Sequence, residues 1–140
     1  MSLIVPAPLL QLALRIDAVG SGSVGLLHLA AAAPLAALLQ WPFGLVVGSG
    51  LFMLVYAVTL LWLAARRQVR LAAVRVIVWG NASYALGCLL LAWLVPALNG
   101  YAIGHLLLQA VAVTAFALLQ ARGLQRSLRP AAPAEAAALA

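Results

Sequence analysis

The sequence predicts an all-α polytopic membrane protein, with four transmembrane helices arranged as two helical hairpins in a bundle. Three observations carry that prediction. Two blocks, Ala18 to Ala65 and Val76 to Ala121, contain no charged residue, and each is about twice the ~20 residues an α-helix needs to cross a bilayer. Between them Arg66, Arg67, Arg70 and Arg75 are crowded into one short stretch. Finally, 67% of the residues are hydrophobic and 7% charged, so the chain cannot clothe a water-facing surface in polar groups as a soluble domain must.

The first crossing has two possible registers. In one it runs over residues 18–39, with Arg15 and Asp17 at the water boundary and the Pro6/Pro8 segment forming an interfacial turn. In the other it extends back to residue 9 and ends near 33, which draws both charges about 9 to 12 Å inward at 1.5 Å per residue. Each central Arg or Asp costs about 2.5 to 3.5 kcal/mol on insertion scales, so the first register is preferred. Gln40-Trp41-Pro42 then combines a helix-stopping proline with an interface-seeking tryptophan.

The second crossing is expected over 43–65 and the third over 76–95. The turn Pro96 to Gly100 follows, with Trp93 and Tyr101 beside it as an aromatic belt, and the fourth crossing covers 101–121. Residues 1–129 form one domain, and the Ala/Pro-rich residues 130–140 read as a flexible tail. No basic residue precedes the apolar start, so it does not read as a cleaved signal peptide.

Orientation follows from arginine placement. Arg66, Arg67, Arg70 and Arg75 in the central loop, with Arg122, Arg126 and Arg129 after the fourth crossing, are cytoplasmic anchors; the two hairpin turns hold no arginine. Both termini are therefore expected in the cytoplasm, with the protein in a bacterial inner membrane. A weak internal repeat agrees: a shift of sixty residues aligns Arg15 with Arg75, Gly20 with Gly80 and Ser23 with Ser83.

The formal charge of +6 invites a nucleic-acid partner, but the arginines lack interleaved aromatics and any recognisable binding motif. Membrane flanking explains them, and no nucleic acid is expected. The single Cys88 excludes an intramolecular disulfide. There is no phosphate loop, nucleophile elbow, His-Glu-x-x-His or carboxylate pair in the crossings. No catalytic set, metal site or cofactor is expected, and the chain does not read as an enzyme.

Asp17 is the one acidic residue associated with the crossings and the default candidate for an ionisable centre. Arg15 lies on nearly the opposite side of a helix, so a partner such as Arg75 or Arg122 is easier to reach. On the fourth crossing His105, Gln109, Phe116 and Gln120 fall on one helix face; Asn81, Tyr84 and Cys88 do so on the third, and Tyr56 and Thr59 add hydroxyls to the second. Polar side chains avoid lipid, so these faces should meet inside. Small residues spaced four apart, Ser21 with Gly25, Gly44 with Gly48 and Ser83 with Gly87, are expected to bring helices close. Bis-histidine haem ligation would need His28 and His105 at one depth, and the preferred register separates them.

The segments Leu14-Arg15-Ile16-Asp17-Ala18, Gly80-Asn81-Ala82-Ser83 and Phe116-Ala117-Leu118-Leu119-Gln120 resemble a pattern in small four-crossing bacterial inner-membrane proteins, similar in general shape to the DoxX-like group. That resemblance implies a helical membrane bundle and imports no activity. In size the chain is also similar to the small multidrug resistance exporters, whose first crossing carries an essential acidic residue; Arg15 beside Asp17 and the absence of the rest of that pattern set it apart. The expected function is a non-enzymatic scaffold that packs with itself or with a larger membrane complex. The alternative is a small transporter or lipophilic-ligand binder centred on Asp17, and a haem-binding membrane protein is third.

Overall fold

The computed structural model describes residues 2–129, so the expected tail over 130–140 lies outside the described residues. The chain is all-α apart from one two-residue ladder. The strand β1 (Leu3–Ile4) is followed by the helices α1 (Pro8–Ala30), α2 (Ala32–Leu39) and α3 (Phe43–Ala64), then β2 (Val69–Arg70), α4 (Leu71–Leu94) and α5 (Gly100–Ser127).

The first helix corrects the preferred register. It begins at Pro8, where a missing N–H costs nothing because first-turn donors have no helical partner. Arg15 and Asp17 therefore sit in its third turn and not at a boundary. The expected continuous helix over 18–39 is also broken, at Ala31, where α2 turns 93° away from α1. Pro34 is the cause. Inside a continuous helix its ring would strike the carbonyl of Ala30, whereas three residues into a new helix no bond is lost.

Gln40 closes α2 with a left-handed conformation, φ 55°, and Trp41 N–H donates to the Ala36 carbonyl, a Schellman-type end. At the start of α5 the Asn99 side chain accepts from Ala102 N–H at 2.8 Å and donates to the Leu38 carbonyl at 2.9 Å, fastening the α4–α5 turn to α2. The third and fourth crossings are longer than expected: α4 starts five residues early and takes in Arg75, while α5 runs on through Arg122 and Arg126.

Helix α1 packs against α3 on one side and α5 on the other, and α5 packs against α4. One close approach is between Gly25 and Gly50, where a Cβ added to either would stand about 3 Å from the other's carbonyl oxygen. Gly123 allows a second one, since its Cβ would fall 2.6 Å from the Leu10 backbone. Of the expected small-residue pairs, only Gly25 is used in this way. A Cβ at Gly44, Gly48 or Gly87 meets nothing within 4 Å, and Ser83 is exposed.

At one end β1 pairs antiparallel with β2, Ser2 accepts from Leu71 N–H, and Ala7 N–H donates to Ser127 Oγ. The chain start, the central loop and the end of α5 are thus clasped together, and the loop and C-terminal arginines gather there. Large apolar side chains remain on the outside along every long helix, including Val58, Trp79, Leu108 and Val111. Helices α3, α4 and α5 are each long and apolar enough to cross a membrane, and α1 with α2 would supply a fourth crossing if the bent pair counts as one span.

Candidate functional site

Two polar clusters lie inside this apolar frame. The first is built on Asp17, which is fully buried. Its Oδ1 accepts from Ser21 Oγ at 2.8 Å, one helical turn away. Its Oδ2 accepts from Asn81 Nδ2 at 2.8 Å, Gln120 Nε2 at 2.7 Å and Tyr56 OH at 3.1 Å. Asn81 Nδ2 spends its second proton on Gln120 Oε1 at 3.0 Å, and Tyr56 OH also lies 2.9 Å from Asn81 Oδ1. One carboxylate thereby gathers α1, α3, α4 and α5, and every amide orientation is set by a partner.

The expected arginine partner is not there. Arg15, Arg75 and Arg122 are exposed, and the donors around Asp17 are all neutral. Neutral donors can hold a buried carboxylate because each hydrogen bond to a charged group contributes about 1.5 to 3 kcal/mol. At 1.5 Å per residue from the start of α1, the carboxylate lies roughly 13 Å along the helix, well away from either of its ends.

The second cluster lies toward the α2 end. Tyr84 OH donates to Gln109 Oε1 at 2.9 Å, and Gln109 Nε2 lies 2.8 Å from His105 Nε2. His105 packs against His28, with ring centroids 5.3 Å apart, and edge-on to Trp41 at 5.5 Å. Ser49 Oγ gives its proton to the Val46 carbonyl, so it accepts from His28 Nδ1 at 2.8 Å. The proton of His28 is then on Nδ1, and its buried Nε2 has no partner.

The expectation that these histidines miss each other is therefore overturned, because the helix uses the other register. They meet as neighbouring rings, and a porphyrin has no space between them. Among the described residues no group of three or more His, Cys, Asp or Glu is placed to share a metal ion.

Between the two clusters is a cavity of about 330 Å³, at the lower end of the range for small-molecule sites. Ser21, Tyr56 and Asn81 border it at the Asp17 end, and Tyr84, His105 and Gln109 line its other polar patch. The remaining wall is apolar, with Phe52 and Met53 from α3, Val24 and Leu27 from α1, and Leu108, Ala112, Val113 and Phe116 from α5. Helices α3 and α4 flank this space without packing closely on each other.

Of the residues singled out in the sequence, Asp17, Tyr56, Asn81 and Gln120 converge on the first cluster, and Tyr84, His105 and Gln109 on the second. Arg15 joins neither. Thr59 is exposed and bonds back to the Val55 carbonyl. Sequence reasoning missed Ser49, and it took Ser21 only for a packing residue and His28 only for a haem ligand. Helical spacing could have found two of these: Asp17, Ser21, Gly25 and His28 repeat at four, four and three residues on one face of α1. Comparison of the chain with protein-family models, with curated proteins and with solved structures found no match.

Proposed function

We propose that this protein is a four-crossing bundle of the bacterial inner membrane that binds a lipophilic ligand carrying a polar head. The observation that carries the reading is shared membership: Tyr56, Asn81 and Ser21 hydrogen-bond the Asp17 cluster and also border the cavity. A scaffold would need only a filled interior, and polar groups with free space beside them are costly to keep in lipid. The apolar wall suits the body of a hydrophobic molecule, and the two polar patches suit oxygen or nitrogen atoms at its ends. Asp17 stands behind the Asn81 and Tyr56 side chains as the ionisable centre, which is also where coupled transport would act.

The clasped, arginine-rich end is the cytoplasmic one on this reading, with both termini on that side. The α1–α2 pair forms the first crossing and spends its last eight residues running along the far interface. The general likeness to DoxX-like proteins adds a membrane bundle and nothing about the ligand.

The test uses a diazirine-bearing fatty alcohol as the probe, crosslinked to the protein in vesicles and mapped by mass spectrometry. Adducts should concentrate on Met53, Val113 and Phe116, which line the cavity and are shielded from the outer face, and Ala112→Phe, which fills the cavity, should remove most of them. Adducts spread evenly over the outer apolar faces and indifferent to Ala112→Phe would sink the reading.

Self-association is a second reading that one observation favours. Gly44, Gly48 and Gly87 have open space where a Cβ would stand, so close-packing positions on α3 and α4 are left unused within one copy. Loss of crosslinked dimers in Gly48→Leu or Gly87→Leu, with the ligand cavity still occupied, would mark assembly as a separate property of the outer surface.

A further inference from the structure

At the clasped end, outside the cavity and the Asp17 cluster, a second hollow of about 560 Å³ opens between the end of α3 and the start of α4. Its rim carries Arg66, Gln68 and Arg70, and its wall is apolar, with Trp62, Leu63 and Ala73 among the contributors. All three rim residues are exposed.

Three features make it electropositive. The Arg66 guanidinium lies 4.3 Å from the centre of the Trp62 ring, which holds this flexible side chain at the groove. Among the described residues the one carboxylate is Asp17, and it is buried elsewhere with neutral partners, so no described carboxylate neutralises either rim arginine. Helix α4 begins at this point with no side-chain cap; Leu71 N–H is taken by the Ser2 carbonyl, and the positive end of a 24-residue helix stands beside Arg70.

We infer that this groove binds the headgroup phosphate of an anionic phospholipid, with Arg66 and Arg70 on the phosphodiester and an acyl chain against Trp62 and Leu63. A soluble phosphate would explain the arginines but not the apolar wall. That wall lies where the apolar span of α3 gives out, at the level where headgroup and chain meet. Arginine suits the phosphodiester because its planar fork can offer two parallel donors.

Native mass spectrometry of the purified protein in detergent, titrated with phosphatidylglycerol or phosphatidylcholine, tests this directly. Phosphatidylglycerol should bind in a one-to-one step about tenfold more tightly than phosphatidylcholine, and the paired change Arg66→Gln with Arg70→Gln should remove that preference. Arg122→Gln with Arg126→Gln takes the same charge from the same end but leaves the groove intact, and should shift binding less than about twofold. Gln68→Glu, a single exposed change that puts a carboxylate on the rim, should weaken phosphatidylglycerol as the groove pair does, and it serves if the double variant is poorly folded. Equal losses in the two arginine pairs would reduce the effect to general attraction and overturn the site. Displacement of phosphatidylglycerol by millimolar inorganic phosphate would overturn the lipid as its occupant.

Discussion

Gln120 Nε2 donates to Asp17 Oδ2 across 2.7 Å, joining residues 103 positions apart and tying the third turn of α1 to the end of α5. Asn81 Nδ2 bridges the same two side chains. Replacing Asp17 with leucine would take the shared acceptor from Gln120 Nε2 and from one N–H of Asn81. Asp17→Leu should therefore cost about 2 to 4 kcal/mol, from roughly 1 to 3 for each unpaired group. Asp17→Asn can keep an oxygen toward Asn81 and Gln120 and an amide toward Ser21 Oγ, and should lose far less. Thermal unfolding of the purified variants in one detergent reads this order. Equal loss in both would mean that charge, and not donor pairing, holds the cluster.

The glycines divide into two kinds with opposite expectations. At Gly25 an added Cβ would stand 2.9 Å from the Gly50 carbonyl oxygen, a backbone atom that cannot swing aside. Gly25→Leu should push α1 from α3 and cost about 1 to 3 kcal/mol or more, as overpacking does. Gly48→Leu should leave the monomer's stability unchanged or raise it by up to about 0.8 kcal/mol, because its side chain enters open space and leucine favours a helix over glycine. Comparing melting temperatures of the two variants decides the matter, and a reversed order would contradict the α1–α3 crossing.

Even the smallest side chain is too large at residue 123. Its Cβ would lie 2.6 Å from Leu10 Cα and 2.8 Å from Leu10 N, so Gly123→Ala should destabilise, although replacing a helical glycine by alanine ordinarily helps. The expected loss is about 1 to 3 kcal/mol, against a gain of about 1 kcal/mol from helix propensity alone. A stabilised Gly123→Ala protein would show that α1 and α5 do not approach this closely.

Gln40 holds a left-handed conformation that costs a side-chain-bearing residue roughly 1 kcal/mol. Gln40→Gly removes that strain at the end of α2, and its expected gain is about 0.5 to 1 kcal/mol. A loss on calorimetry would imply that the Gln40 side chain does something at the far interface that outweighs its backbone strain.

Sidedness can be read with membrane-impermeant maleimide on oriented vesicles. Cys88 is 4% exposed and should stay unlabelled in the parent protein. With Cys88→Ala as background, Gln68→Cys should label only from the cytoplasmic side and Pro96→Cys only from the opposite one. Both labelling from one side would remove the threading on which four crossings depend.

How much of this could be read from the chain differs by element. The apolar blocks and arginine clusters located α3, α4 and α5 within a few residues, because hydropathy is a strong signal where nothing interrupts it. It failed at α1, whose Arg15 and Asp17 made the middle of the helix look like a boundary. The cost assigned to a central Asp assumed a lipid environment, whereas the folded chain surrounds the carboxylate with four donors from three helices and its own turn. Pro34 was the overlooked stop signal for the same crossing. Helical spacing grouped His105 with Gln109 and Gln120 correctly, yet it could not say that Gln120 would join Asp17 while Gln109 joined Tyr84. That depends on where along the bundle each neighbour falls, which is a tertiary fact. The short ladder between Leu3 and Arg70 had no sequence signal at all, being two residues long on each side.

The clasp of β1, β2 and the end of α5 has a mechanical consequence. Helices α3 and α4 are joined covalently at that end by the loop carrying β2, while at the other end no peptide links them. The far ends are tied through the Asn99 to Leu38 hydrogen bond and not by the chain itself, so the crevice widens more readily like a clothes-peg, its jaws near Trp41 and Trp93 and its spring at the arginine-bearing end. On the proposed ligand-binding reading, a molecule entering from the α2 side would pass the histidine pair before it reached the carboxylate.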